Sequence, residues 1–96
     1  MTEPTEPHLS FTAFVLTLAS NAAIHFGDLA DPESGERAEV NLDGAAQMIE
    51  ILTLLEQKTK GNLTPEERQL LEQVLYELRM RFLEAAGGGK RIIIEP

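Results

Sequence analysis

The feature that most limits the possible folds of this chain is an uncharged segment that extends from Leu9 to Phe26. On a helical wheel at about 100° per residue, one stripe of this segment is apolar, and its members are Phe11, Phe14, Val15, Leu18, Ala22 and Phe26. The opposite side is also mostly apolar, since it carries Leu16, Ala23 and Ile24 among small polar residues. A helix that is apolar most of the way round is normally buried most of the way round. The rest of the chain, or a second molecule, is therefore expected to cover both sides of this helix.

A membrane-spanning role is not expected for this segment. As a helix it would extend roughly 27 Å at 1.5 Å per residue, whereas the hydrocarbon core of a bilayer is about 30 Å thick. The segment also contains the polar residues Thr12, Thr17, Ser20, Asn21 and His25. Residues 1–7 carry acids and prolines where a secretory signal would carry basic residues before an apolar stretch. The sequence therefore predicts a cytoplasmic protein.

Size and charge narrow the classes of function. A chain of 96 residues with 43% hydrophobic and 25% charged residues has the composition of one folded domain. A domain this small buries only about 60% of its unfolded surface, so association would help to stabilise it. The net charge of −8 leaves little cationic surface for a phosphate backbone, and nucleic acid is not an expected partner. The absence of cysteine excludes disulfides, thiolate zinc sites and a cysteine nucleophile.

Helix caps and apolar periodicity predict three helices. Ser10 and Asn41 are suitable N-cap residues, and Thr64 is followed by a proline and two glutamates in the order typical of a capping box. The predicted segments are a disordered acidic and proline-containing lead at 1–9, one helical domain at 10–86 with helices at about 10–26, 42–60 and 65–86, an acidic linker at 27–41, and a glycine-hinged tail at 87–96.

The second and third helices are expected to form an antiparallel hairpin, because residues 61–63 are too short a connection for any other arrangement. Tyr76, Met80 and Leu83 form a second apolar stripe on the third helix, beside the main one. The sequence therefore predicts an all-α fold. It consists of a buried N-terminal helix and an antiparallel helical hairpin, completed by homo-oligomerisation.

Two finer expectations concern the side chains of the hairpin. Ile51 is expected to widen the apolar stripe of the second helix. Glu77 and Arg81 have the i,i+4 spacing of a helical ion pair, which is worth a few tenths of a kcal/mol.

The residues with chemical potential do not form a recognisable catalytic or metal site. His8 and His25 have no metal-ligand spacing, and His25 is expected to serve as a structural residue at the negative end of the first helix. The carboxylates lie in the linker or on polar helix faces, where solvation accounts for them. Residues 87–90 lack the full spacing of a phosphate-binding loop. The sequence predicts no catalytic, cofactor-binding or metal-ligating residue and therefore no enzyme.

Several short motifs together resemble a known family. In chain order they are Ser10-Phe11-x-x-Phe14, Leu18-Ala19, His25-Phe26-Gly27, Lys58-Thr59-Lys60-Gly61-Asn62-Leu63-Thr64-x-Glu66-Glu67 and Leu78-Arg79-x-Arg81-Phe82. With these motifs, residues 10 to 86 resemble the bacterial family called domain of unknown function 1844. The resemblance implies a small helical protein with no established activity, substrate or cofactor, so it supports the fold and leaves the function open.

The excess of apolar helix surface predicts a non-enzymatic interaction or scaffolding module that forms a homodimer or a higher symmetric oligomer, with the dimer favoured. The predicted interface consists of Phe11, Phe14, Leu16, Leu18, Ala23, Ile24, Tyr76, Met80 and Leu83. An unidentified protein partner is a further possibility. In the tail, Ile92, Ile93 and Ile94 are either a docking segment or part of a mobile terminus.

Two alternatives from other classes stay open. One is a membrane-surface or envelope-associated factor that inserts helix 10–26 shallowly into lipid. Against it, the helix lacks a lysine-rich face, and anionic lipid would repel the acidic domain. The other is a small metal-dependent enzyme built on the acidic linker and His25, for which the chain offers few coordinated residues.

Overall fold

The computed structural model describes residues 9–87, which form three α-helices and, within that range, no strand. The helices are α1 at Phe11–His25, α2 at Leu42–Lys58 and α3 at Pro65–Ala86. The predicted all-α class with three helices is confirmed. The first helix is one residue shorter at each end than predicted, and the second ends two residues earlier. The predicted lead and tail lie outside the described residues, apart from their innermost positions.

Each helix begins at a side-chain cap. Ser10 and Asn41 each accept a hydrogen bond of 3.0 Å from the backbone amide three residues further along the chain. At α3 the capping box is complete: Thr64 Oγ1 accepts from Glu67 N at 3.1 Å, and Glu67 Oε1 accepts from Thr64 N at 2.9 Å. Because these bonds satisfy amides that the first turn leaves free, each is worth about 1 kcal/mol.

The core lies where the three helices meet, and each of them contributes to it. Its buried residues are Val15, Leu18, Ala22 and Phe26 near or on α1, Ala45, Met48 and Leu52 on α2, and Leu71, Val74 and Leu75 on α3. No charged or polar side chain in the described range is buried. The core is therefore held together by apolar packing.

The hairpin of α2 and α3 is antiparallel. Arg79, late in α3, donates from Nη2 to Thr53 Oγ1 on α2 at 2.9 Å, and the early part of α3 lies beside the end of α2. The expectation that Ile51 widens the buried stripe is wrong, because Ile51 is exposed. It lies about 100° round the helix from Leu52, which is fully buried.

A tight reversal ends α1. Gly27 has a φ of +80°, its amide donates to Ile24 O at 3.0 Å, and the amide of Asp28 donates to Ala23 O at 2.9 Å. These two bonds form a Schellman motif, which favours glycine at the left-handed position. A side chain at Gly27 would also lie 3.2 Å from the carbonyl oxygen of Ala38.

The linker then returns to the same end of α1, where His25 contacts the start of α2. Asn41 N donates to the backbone oxygen of His25 at 2.7 Å. A Cβ atom added to Gly44 would lie 2.7 Å from Nδ1 and 2.8 Å from Cε1 of His25. The glycine therefore leaves the space that the half-buried imidazole occupies.

Truncation of a core leucine should destabilise the fold far more than truncation of an exposed leucine on the same helix. Leu52 is 0% exposed and Leu54 is 53% exposed. Leu52→Ala is expected to lower the free energy of unfolding by about 3 kcal/mol, and Leu54→Ala by less than about 0.5 kcal/mol. Urea unfolding followed by circular dichroism measures both. Equal effects of the two substitutions would contradict the position of the core.

The contact between His25 and Gly44 can be tested with a double-mutant cycle. Alanine in a helix is favoured over glycine by up to about 1 kcal/mol, but the methyl group at position 44 would collide with the imidazole. The added methyl group would also lie 2.9 Å from Asn41 Nδ2 in either background, so the difference between backgrounds is what reports on His25. Gly44→Ala should give no gain in stability alone, and its effect should be at least about 0.5 kcal/mol more favourable when combined with His25→Ala. The four unfolding free energies from urea titration measure this coupling. The same effect in both backgrounds would rule out the contact.

Candidate interaction surface

Large apolar side chains are exposed on the outer side of the hairpin. Tyr76 and Leu83 are each 64% exposed, Leu54 is 53% exposed and Met80 is 48% exposed. The three α3 residues follow one another at spacings of four and three, so they lie on one side of the helix. We call the whole area the hairpin face, and define it by Ala46, Ile49, Leu54, Tyr76, Met80 and Leu83.

The centre of the hairpin face is a groove between α2 and α3. It has a volume of about 290 Å³ and is lined by Ala46, Ile49, Arg79, Phe82 and Leu83. A second depression of about 440 Å³ runs along α2, and Ile49 and Leu54 are among its lining residues. The two depressions share Ile49, but the second is also lined by Glu50, Thr53 and Gln57, so the surface along α2 is partly polar.

Arg79 is the one charged side chain that lines the groove. Its bond to Thr53 crosses the hairpin, and Thr53 Oγ1 in turn donates to the backbone oxygen of Ile49 at 2.8 Å. This chain of hydrogen bonds links α3 to α2 across the hairpin. It also holds a positive charge at one end of an otherwise apolar groove.

The interface residues predicted on α1 lie in different environments. Leu18 is in the core of this chain and is already covered by the other helices. Phe14 and Leu16 are exposed. The half-buried members are Phe11, Ala23 and Ile24. The hairpin groove is lined by no residue of α1, so the groove brings the α3 stripe together with α2 and not with the predicted α1 residues.

A bidentate ion pair connects the start of the linker to α3. Arg81 donates from Nε and Nη2 to the two carboxylate oxygens of Asp28, both at 2.7 Å. The guanidinium carbon also lies 5.2 Å from the centre of the Phe26 ring, a cation–π distance. The hydrogen bonds from Arg81 lower the pKa of the Asp28 carboxyl below its ordinary value, and they raise the pKa of Arg81. The pair therefore fastens the reversal after α1 to the third helix.

The expected pair between Glu77 and Arg81 is wrong. Arg81 is directed towards Asp28, with a further contact of 3.5 Å to Glu84, and Glu77 instead accepts a hydrogen bond from Gln73 Nε2 at 3.1 Å. Helix spacing alone could not reveal the true partner, because Asp28 is distant in sequence and reaches Arg81 only after the chain has folded.

The remaining sequence candidates are the histidines, the carboxylates of the linker and the C-terminal isoleucines. Within residues 9–87, no group of three or more histidine, aspartate or glutamate side chains is arranged to hold a metal ion. The helices of that same range are too short or too polar to cross a bilayer. In the linker, Asp31 Oδ1 accepts from Glu33 N at 2.9 Å, which is a local turn contact. His8 and the tail residues Ile92, Ile93 and Ile94 lie outside the described residues.

Comparison with known families places most of the chain in one of them. The family model described as Domain of unknown function (DUF1844) matches residues 8–84. The match covers α1, α2 and all but the last two residues of α3. No curated protein and no solved structure matches the chain.

The pair of Asp28 and Arg81 should give the stability a pH dependence. Both side chains are partly exposed, so Asp28→Asn should lower the free energy of unfolding at neutral pH by only about 0.5–1 kcal/mol. Because the pKa of Asp28 is lower in the folded than in the unfolded chain, the stabilisation is present above the unfolded value near 3.9 and is lost as the pH falls through the lowered pKa. Urea unfolding of both proteins from neutral to acid pH measures this difference.

Glu77→Gln is the matched control for this prediction, because it neutralises the carboxylate that helix spacing had suggested as the partner of Arg81. It should change the unfolding free energy by less than about 0.3 kcal/mol at any of these pH values. A loss as large as that of Asp28→Asn, or a difference for Asp28→Asn that persists in acid, would contradict the assignment.

Proposed function

The chain belongs to the DUF1844 family, whose function is unknown. From its exposed surface we propose that it is a non-enzymatic cytoplasmic module that self-associates through the hairpin face. The favoured assembly is a homodimer. The observation that carries the proposal is a largely apolar groove between α2 and α3 that the exposed Leu83 lines, together with the exposure of Tyr76 and Met80 on the same side of α3 and of Leu54 on α2. Monomeric proteins rarely expose a large contiguous patch of this kind unless it binds something.

The composition of the hairpin face supports a protein partner. Tyrosine and methionine are enriched at protein interfaces, whereas lysine, glutamate and aspartate are depleted from interface centres. Tyr76 and Met80 lie on the face, and the groove contains no acidic side chain although the chain has twice as many acidic as basic residues. The groove itself is thus free of acidic side chains, although Glu50 lines the neighbouring depression along α2.

A second copy of the chain is the partner that fits this face. In a two-fold dimer the same surface patch of each subunit forms the interface, so every contact between two different residues occurs twice. The face carries charges of both signs near its apolar centre, with Arg79 in the groove and Glu50 in the depression along α2. A dimer also offers a small chain additional buried area, which its own core supplies only in part.

Leu83→Lys is the substitution that tests the proposal. A lysine there would place a charge in the centre of the interface, so the dimer dissociation constant should rise at least about tenfold. The chain has a net charge of −8, so the new lysine reduces the electrostatic repulsion between two copies. The change in net charge alone would therefore favour association, and a weaker dimer would have to result from the lysine at the interface. Sedimentation velocity over a range of micromolar concentrations measures the dissociation constant.

Leu9→Lys is the matched control, because Leu9 is also highly exposed but lies outside the hairpin face. It should leave the dissociation constant within about twofold, and both variants should unfold at urea concentrations close to that of the unmodified chain. Leu16→Lys would measure any contribution of α1. A folded, unmodified chain that remains monomeric at these concentrations would overturn the proposal.

A further inference from the structure

The groove of the hairpin face lies next to the end of α3. Leu83 lines it, α3 ends at Ala86, and Gly87 is the last described residue. With a rise of 1.5 Å per residue, Gly87 lies about 6 Å along the helix axis from Leu83. The segment that follows therefore begins within about one helical turn of the groove. We propose that the C-terminal segment, residues 90–96, binds in the groove of its own chain through Ile92 and Ile94.

The length of the connecting segment is sufficient. Ile92 is the fifth residue after Gly87, and extended chain covers up to about 3.3 Å per residue, so Ile92 has a reach of about 16 Å. The groove extends from Leu83 to Arg79, about 6 to 12 Å back along the axis of α3. Gly88 and Gly89 permit the reversal of direction that this path requires, because glycine has access to left-handed backbone conformations.

The apolar side chains have the right spacing and volume. In an extended segment Ile92 and Ile94 lie on the same side, about 7 Å apart, and this is close to the spacing of groove residues one helical turn apart. The groove volume of about 290 Å³ is about twice the ~150 Å³ of an apolar cavity that holds benzene, which is sufficient for two isoleucine side chains. Ile93 lies on the opposite side of the segment and would face away from the groove.

The charges of the C-terminal segment are complementary to those at the two ends of its path along α3. The last turn of α3 contains no basic residue, so its free carbonyl groups have no cation in the helix to interact with. Lys90 and Arg91 follow directly after the glycines and would lie near those carbonyls. At the other end of the path, Glu95 would approach Arg79, the one cation that lines the groove. Both ends of the segment therefore find opposite charge.

Binding of this segment would regulate self-association, and this consequence rests on the proposed function. The segment and a second copy both require Leu83, so they compete for it. If the segment fills the groove for nine tenths of the time, one tenth of the molecules have a free groove, and a dimer that needs both grooves free forms about a hundredfold more weakly.

The test uses the full chain with isotope-labelled isoleucine and leucine methyl groups. Nuclear Overhauser contacts are expected from the methyl groups of Ile92 and Ile94 to those of Ile49 and Leu83. The double variant Ile92→Ser and Ile94→Ser should shift the Ile49 and Leu83 resonances, whereas Ile93→Ser, the matched control with the same loss of apolar surface, should not. In a mixture of labelled and unlabelled protein the contacts should remain within one chain.

Three results would overturn the proposal. The first is the absence of the contacts, the second is an equal response to the Ile93→Ser control, and the third is a set of contacts that join different molecules in the mixed sample. Sedimentation velocity of the same variants separates this proposal from the proposed function. If the contacts are present but no variant dimerises, the segment binds its groove and only the self-association proposal fails. If both hold, the double serine variant should dimerise more tightly, by about a hundredfold where the segment fills nine tenths of the grooves.

Discussion

The structure depends on the limited ability of three short helices to cover one another's apolar surface. α1 is apolar on most of its circumference, but only its inner stripe reaches the core, and α3 exposes a second stripe on which no helix of residues 9–87 packs. Apolar residues such as Leu16 and Leu83 therefore remain at the surface of the described chain. This excess is a consequence of chain length, since a small domain cannot enclose all of its hydrophobic residues.

Local features were predictable from the sequence, and long-range ones were not. The capping box at Thr64 depends on residues within one helical turn, and for that reason its pattern is visible in the sequence. The pairing of Asp28 with Arg81 joins residues far apart in the chain, and the spacing rule instead selected Glu77. Nothing in the sequence around Gly44 indicates that it makes room for His25.

The candidate interaction surface also has a local part that the sequence predicted and a long-range part that it did not. The stripe of Tyr76, Met80 and Leu83 follows from helical periodicity alone, and the sequence identified it as excess apolar surface. The groove beside it required the packing of α2 against α3, which brings Ile49 close to Leu83 near the end of α3. Periodicity describes one helix at a time, so it could not show that surface from two helices becomes continuous.

Charge explains how such a surface can be selective. Two copies of this chain repel each other in most orientations, because each has a net charge of −8. At physiological salt this repulsion acts over about 8–10 Å, and beyond that distance it is largely screened. Repulsion is smallest where acidic side chains are absent, and the groove with Arg79 is such a place. If the chain self-associates as proposed, the acidic surface would act against nonspecific contacts and would favour approach through the hairpin face. A segment such as residues 90–96, which has two cations and one carboxylate, meets less of this repulsion than a second copy does. Occupancy of the groove by the chain's own terminus should therefore be less sensitive to ionic strength than dimer formation, which added salt should strengthen by screening the repulsion.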